Sequence, residues 1–146
     1  MKTIYGFVSQ NLGYIFGERE SGPNGAKKQF HTKSAAFLRA LGRDLGFQNF
    51  KVTNNYGGIA VSGEITLMGI WSEGNGLYLQ LSQSAIGWRS FLYRQISHMK
   101  DYMKDYTGGR NRWLPADMFA SGKYAELVDI LLALRKPSKE EAEYAA

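Results

Sequence analysis

The chain reads as a single α+β domain, with an antiparallel sheet of four or five strands and two main helices packed on it. Three observations lead there. Phe37, Leu38, Leu41 and Leu45 recur at three- and four-residue spacing, the mark of one apolar helix face. Tyr124, Leu127, Val128, Leu131, Leu132 and Leu134 draw a second such face near the C-terminus. Between them, Leu77, Leu79 and Leu81 alternate with Tyr78, Gln80 and Ser82, among short segments separated by Gly- and Asn-rich turn clusters.

In chain order, Ile4, Phe7, Val8, Leu12, Tyr14, Ile15 and Phe16 are interrupted by Gly6, Gly13 and Gly17, which fits a strand pair or a strand with an irregular arm. Ser21–Gly25 combines Pro23 with the Asn24-Gly25 turn dipeptide and predicts a loop. The first helix is expected over about 33–45, capped by Thr32 or Ser34 and closed by Gly46 as the residue just past its end. A strand is expected over 47–54, with Phe50 and Val52 on one side. A second runs over 59–70, with Gly63 as a bulge, and a half-buried third is centred on Leu77–Leu81. Short connections imply an antiparallel meander.

Residues 88–106 carry two readings. The Phe91-Leu92-Tyr93 run predicts a strand over 90–97, then a short helical turn or loop. The competing reading is a helix whose stripe is Trp88, Leu92, Ile96, Met99, Met103 and Tyr106. Pro115 suits a turn or the first position of a helix. The last helix is expected over about 123–135, capped by Ser121, with Arg135 and Lys136 facing its C-terminal dipole and Pro137 ending it. The domain is expected to span 1–137, with 138–146 an acidic flexible tail.

Composition narrows the chemistry. With 146 residues, the chain has the size of one domain and can bury a core without crosslinks. It has no cysteine, which removes disulfides, thiolate metal sites and a Cys nucleophile, and fits a reducing compartment. No run approaches the roughly 20 apolar residues of a membrane helix, and no signal-like apolar segment follows Met1. The expected location is therefore cytosolic, with no membrane partner. His31 and His98 lie far apart, neither in a metal-binding spacing; His31 reads as a surface or capping residue and His98 as a candidate pocket residue. No GxSxG, Walker A or GxGxxG pattern occurs. Asp101 and Asp105, four apart, read as ordinary surface partners of nearby lysines rather than a metal pair. No catalytic residue, cofactor or metal is expected.

Charge supplies the positive signal. The net charge is +5. Lys27, Lys28, Lys33, Arg39 and Arg43 form one cluster with no acid between Lys27 and Arg43. Arg89, Arg94, Lys100, Lys104, Arg110 and Arg112 form another, relieved only by Asp101 and Asp105. Such clusters favour a polyanionic partner, nucleic acid first, the alternative being a solvated basic surface.

The densest stretch, Lys100–Trp113, mixes cations with Tyr102, Tyr106, Trp113 and the pair Gly108-Gly109. Arg110 and Arg112 can grip phosphates in bidentate fashion. Tyr102, Tyr106 and Trp113 can stack on unpaired bases, and Asn111 adds an amide within the same run. The expected interface therefore comprises Lys100, Tyr102, Lys104, Tyr106, Arg110, Asn111, Arg112 and Trp113, with Lys27, Lys28, Arg39 and Arg43. Its expected partner is nucleic acid, single-stranded by preference, or a host nucleoprotein or defence complex. Two other readings stand beside it: Trp113 and Tyr106 anchor the loop on the core, or the same residues form a protein–protein hot spot.

The runs Phe30-His31-Thr32-Lys33-Ser34-Ala35-Ala36-Phe37-Leu38, Gly58–Leu67 and Lys104–Trp113 resemble small uncharacterised proteins of phages, plasmids and integrative elements. They are similar to accessory domains found beside large polyvalent mobile-element proteins. The likeness covers about residues 30–120 and rests on short motifs. It implies no catalytic residues. It implies a setting in which such proteins service element DNA or act against host defence, anti-CRISPR inhibitors among them.

Overall fold

Each strand of the sheet is hydrogen-bonded to the one that follows it in the chain. The computed structural model describes residues 26–56, 63–82, 90–100, 110–119 and 121–135. Helix α1 (Ala26–Asp44) leads into β1 (Asn49–Asn55), β2 (Glu64–Ile70), β3 (Gly76–Ser82), β4 (Ser90–Ile96) and β5 (Arg112–Pro115). Two short 3-10 turns, Ala116–Phe119 and Ser121–Lys123, precede helix α2 (Tyr124–Leu132). The five strands lie in the order β1-β2-β3-β4-β5, all antiparallel. The molecule is thus an α+β domain, with two helices on a five-stranded meander among the described residues, as the periodicities predict.

Helix α1 begins well before the expected start. Phe30 and His31 are fully buried and continue the apolar stripe of Phe37, Leu38, Leu41 and Leu45 by a further turn. Thr32 and Ser34 are therefore interior helix residues and not caps. Thr32 faces outward, whereas Ser34 is buried and its hydroxyl finds no hydrogen-bond partner among the described residues. The far end matches expectation. Gly46 sits at φ 71°, where a residue with a Cβ is disfavoured, and its N–H donates to the Arg43 carbonyl at 3.2 Å. The Trp71 indole N–H also donates to the Leu45 carbonyl at 2.8 Å, tying this end of the helix to the sheet.

One sheet face carries the main core. Ile65, Leu67, Leu77, Leu79, Phe91 and Leu114 point toward the helices and are all buried. The C-terminal layer covers the same face. Phe119 is fully buried, with its ring centroid 4.7 Å from Phe91 and 5.7 Å from Phe37. Tyr124 donates its hydroxyl to Asp44 and so joins α2 to α1. Burial, together with the Asp44 carboxylate, raises the Tyr124 phenol well above its ordinary range.

Several boundaries differ from expectation. The sequence predicts β3 as half-buried, yet Tyr78 and Ser82 on its other face are 6% and 5% exposed. A second, smaller cluster of Met68, Tyr78 and Ile96 lies there. The strand reading holds for residues 90–96, so the helical stripe through Leu92 and Ile96 does not form. Pro115 ends a strand and does not start a helix. Ser121 does not cap α2, which begins at Tyr124 with no side-chain cap at Lys123.

Arg135, just past the end of α2, makes a specific ion pair. Its guanidinium binds the Glu73 carboxylate, with one N–H to Oε1 at 2.9 Å. That bond, aided by the Ser72 hydroxyl, holds Glu73 down at about 2. The Leu134 carbonyl at this end is taken by the side-chain amides of Asn75 and Gln95, the latter at 2.8 Å.

Gly63, expected as a bulge, opens β2 at φ 75°; a Cβ there would fall 2.2 Å from the Asn55 carbonyl oxygen. The N-terminal strand pair or arm, the Ser21–Gly25 loop, residues 57–62 of the expected second strand and the acidic tail lie outside the described residues. Among the described residues, no helix is long and apolar enough to cross a membrane.

Candidate nucleic-acid interface

The interface residues expected from sequence fall into three groups. Arg110, Asn111, Arg112 and Trp113 stand at or just before the β5 edge of the sheet, with Lys100 four residues past the end of β4. Lys28, Arg39 and Arg43 stand on α1. Tyr102, Lys104, Tyr106, Asp101, Asp105 and the side chain of Lys27 lie outside the described residues.

At the sheet edge, the expected loop is replaced in part by a strand. Arg112 pairs with Tyr93 and Trp113 with Leu92, so both belong to β5. This edge strand fixes their backbone in extended form, and alternation sends the two side chains to opposite faces. Leu114 enters the main core, so Trp113 points to the other face, beside its cross-strand neighbour Leu92. The Trp113 side chain is 60% exposed. The reading in which Trp113 anchors a loop on the core is therefore overturned. Arg110, Asn111 and Arg112 are exposed as well. Arg110 lies two residues before β5, and Lys100 lies four residues past the end of β4.

Arg94 is the residue the charge count misassigned. Sequence groups it with the surface cations, but it is 4% exposed and lies between Tyr78 and the β5 stem. Its guanidinium carbon sits 4.7 Å from the Tyr78 ring centroid, and one N–H donates to Asn111 Oδ1 at 3.0 Å. The Tyr78 hydroxyl donates in turn to Gln80 Oε1 at 2.8 Å. A chain of polar contacts thus crosses β3 and β4 and holds Asn111, two residues before Trp113. Arg94 shares a sheet face with Leu92 and Ile96, so its burial comes from that face.

Helix α1 carries its cations elsewhere. At about 100° per residue, Lys28, Arg39 and Arg43 fall within about 60° of one another on the outward arc, and all three are exposed. The helix packs over β1 and β2, on the face opposite Trp113. Four inter-strand spacings of about 4.8 Å separate β1 from β5, so roughly 19 Å lies between the two edges. Among the described residues, the two basic clusters are not brought into one site.

The histidines are also placed. His31 is fully buried, contrary to its expected surface position. It hydrogen-bonds Asn54 and stacks on Tyr56, with ring centroids 4.4 Å apart. His98 is exposed, and its Nδ1–H donates to the Lys100 carbonyl. Among the described residues, no group of three or more His, Asp or Glu side chains is placed to hold a metal ion. No protein-family model matches the chain, and no curated protein or solved structure shows significant similarity to it.

Proposed function

We propose that this chain is a non-enzymatic binding protein of the mobile-element type, working in the host cytosol. It engages nucleic acid, single-stranded by preference, or a nucleic-acid-handling complex. The carrying observation is Trp113: a large aromatic, 60% exposed, held on a strand and flanked by the exposed Arg110 and Arg112. An exposed indole on a rigid backbone is a stacking platform for an unpaired base, and the arginines supply bidentate donors for the adjoining phosphates. Lys100, past the end of β4, adds a further exposed cation.

A second reading is favoured by a different feature of the same strand. Among the described residues β5 is a sheet edge, so a partner protein can add a strand to it while Trp113 and the arginines serve as hot-spot residues. In that reading the chain is an anti-defence inhibitor that acts purely by contact with a host nuclease complex. Its net charge of +5 argues against an acidic mimic of DNA.

Titration of the protein with labelled single-stranded DNA, duplex DNA and RNA at two salt concentrations separates the readings. The first expects salt-sensitive binding that is abolished in a folded Arg110→Ala/Arg112→Ala double variant. Unchanged affinity in that variant would sink it. No binding at low salt, with capture of a nuclease complex, supports the second.

A further inference from the structure

Helix α1 carries a cationic face that the edge-strand site does not use. Between Ala26 and Arg43 it contains no carboxylate; its single acid, the terminal Asp44, accepts the Tyr124 hydroxyl. The exposed arc holds Lys28, Arg39 and Arg43, with Thr32 and Ala36 between them and Lys33 to one side, all outward-facing. Among the described residues, no ion pair joins Lys28, Arg39 or Arg43 to an acid. The buried arc of the same helix is locked into the core by Phe30, Phe37, Leu38 and Leu41, so the charged arc is presented on a fixed rod.

We infer that α1 is a second nucleic-acid surface, separate from the β5 site, and that its ligand is the backbone of a duplex. This rests on the reading that the chain binds nucleic acid. Spacing favours the duplex. At about 1.5 Å of rise per residue, Arg39 and Arg43 stand about 6 Å apart and Lys28 about 16 Å from Arg39. A pair of close cations plus one distant cation matches two phosphate backbones bordering a groove about 12 Å wide. The small side chains at Thr32 and Ala36 let the rod approach that groove. The arc carries no aromatic residue, so it offers nothing for an unpaired base to stack on. The molecule then holds a duplex on one face of its sheet and a single strand at the opposite edge.

The test uses the full chain with two labelled probes, a blunt duplex and an unstructured single strand, over a range of salt. The Lys28→Gln/Arg39→Gln/Arg43→Gln variant alters only exposed side chains, and thermal unfolding checks its fold before binding is read. It is expected to weaken duplex binding at least about tenfold at low salt. Its log–log salt slope is expected to fall by about 2.7, the contribution of three phosphate contacts. Single-strand affinity is expected to stay within about twofold. Trp113→Ala is expected to show the converse. If the folded triple variant retains duplex affinity, or loses both probes equally, the inference is wrong. Wild-type binding of the single strand but not the duplex overturns the inference and leaves the edge-strand reading standing. Binding of neither probe overturns both.

Discussion

Replacing Trp113 with Ala tests the edge-strand site with little disturbance to the fold. Two-fifths of the side chain is covered, since 60% is exposed. On a tryptophan of up to about 250 Å², that is about 100 Å². At about 25 cal/mol per Å², removing it costs at most about 2.5 kcal/mol, an upper bound because the unfolded chain is not fully extended. Against a typical stability of about 5–15 kcal/mol, the variant remains folded. Its binding suffers more. Loss of one base stack costs about 1–3 kcal/mol, or about 5- to 150-fold in affinity for a single strand. The indole has no charge, so the salt dependence keeps the wild-type slope, whereas Arg110→Ala alone lowers that slope by about 0.7 for a single strand. Fluorescence anisotropy with a labelled oligonucleotide over a salt series reads both quantities, and Trp113→Phe, which keeps an aromatic face, should recover most of the affinity. A folded Trp113→Ala protein that binds as tightly as wild type would refute the stacking role.

Two stability predictions follow from the contacts around the C-terminal layer. Phe119→Ala removes a fully buried ring set against Phe91 and Phe37 and should cost about 3–5 kcal/mol in urea unfolding; a loss below about 1 kcal/mol would mean this layer is not part of the cooperative core. Glu73→Gln should show its effect only above the acid range. The folded carboxyl sits at about 2, below its ordinary 4.5, so its contribution is fully present above pH 4.5 and is lost as pH falls through about 2. The stability gap between wild type and variant should therefore be widest at neutral pH and close by pH 2, and a gap that does not change with pH would remove the ion pair from the account.

The two helices and the meander were legible because they rest on periodicity. Leu127 and Leu131, or Leu77 and Leu79, can be buried together only in a helix and a strand respectively. Boundaries were less legible because tertiary burial set them. Thr32 and Ser34 have the chemistry of caps, but packing Phe30 against the core rewards another turn of helix more than a cap does. The candidate site was half legible. The residues of Arg110–Trp113 were found from their types, yet their extended backbone was not, since a run with three polar residues before Trp113 has no strand alternation of its own. Arg112, Trp113 and Leu114 are held as a strand by pairing with Tyr93, Leu92 and Phe91, a long-range interaction that local sequence does not encode. Arg94 was misread for a similar reason. A cation counts as surface until a partner for its burial is known, and Tyr78 lies on β3 and Asn111 just before β5.

The strand order carries a kinetic consequence. Because β1 to β5 are neighbours both in the chain and in the sheet, the sheet can grow one hairpin at a time, each closing a short stretch of chain. The costly closure comes last, when Tyr124 meets Asp44 across 80 residues and Asn75 reaches Leu134 across 59. A nascent chain can therefore lay down β1 through β5 as they leave the ribosome. It stays open along its helical face until α2 has been made, and that interval is when Leu79 and Phe91 are most exposed to unwanted company.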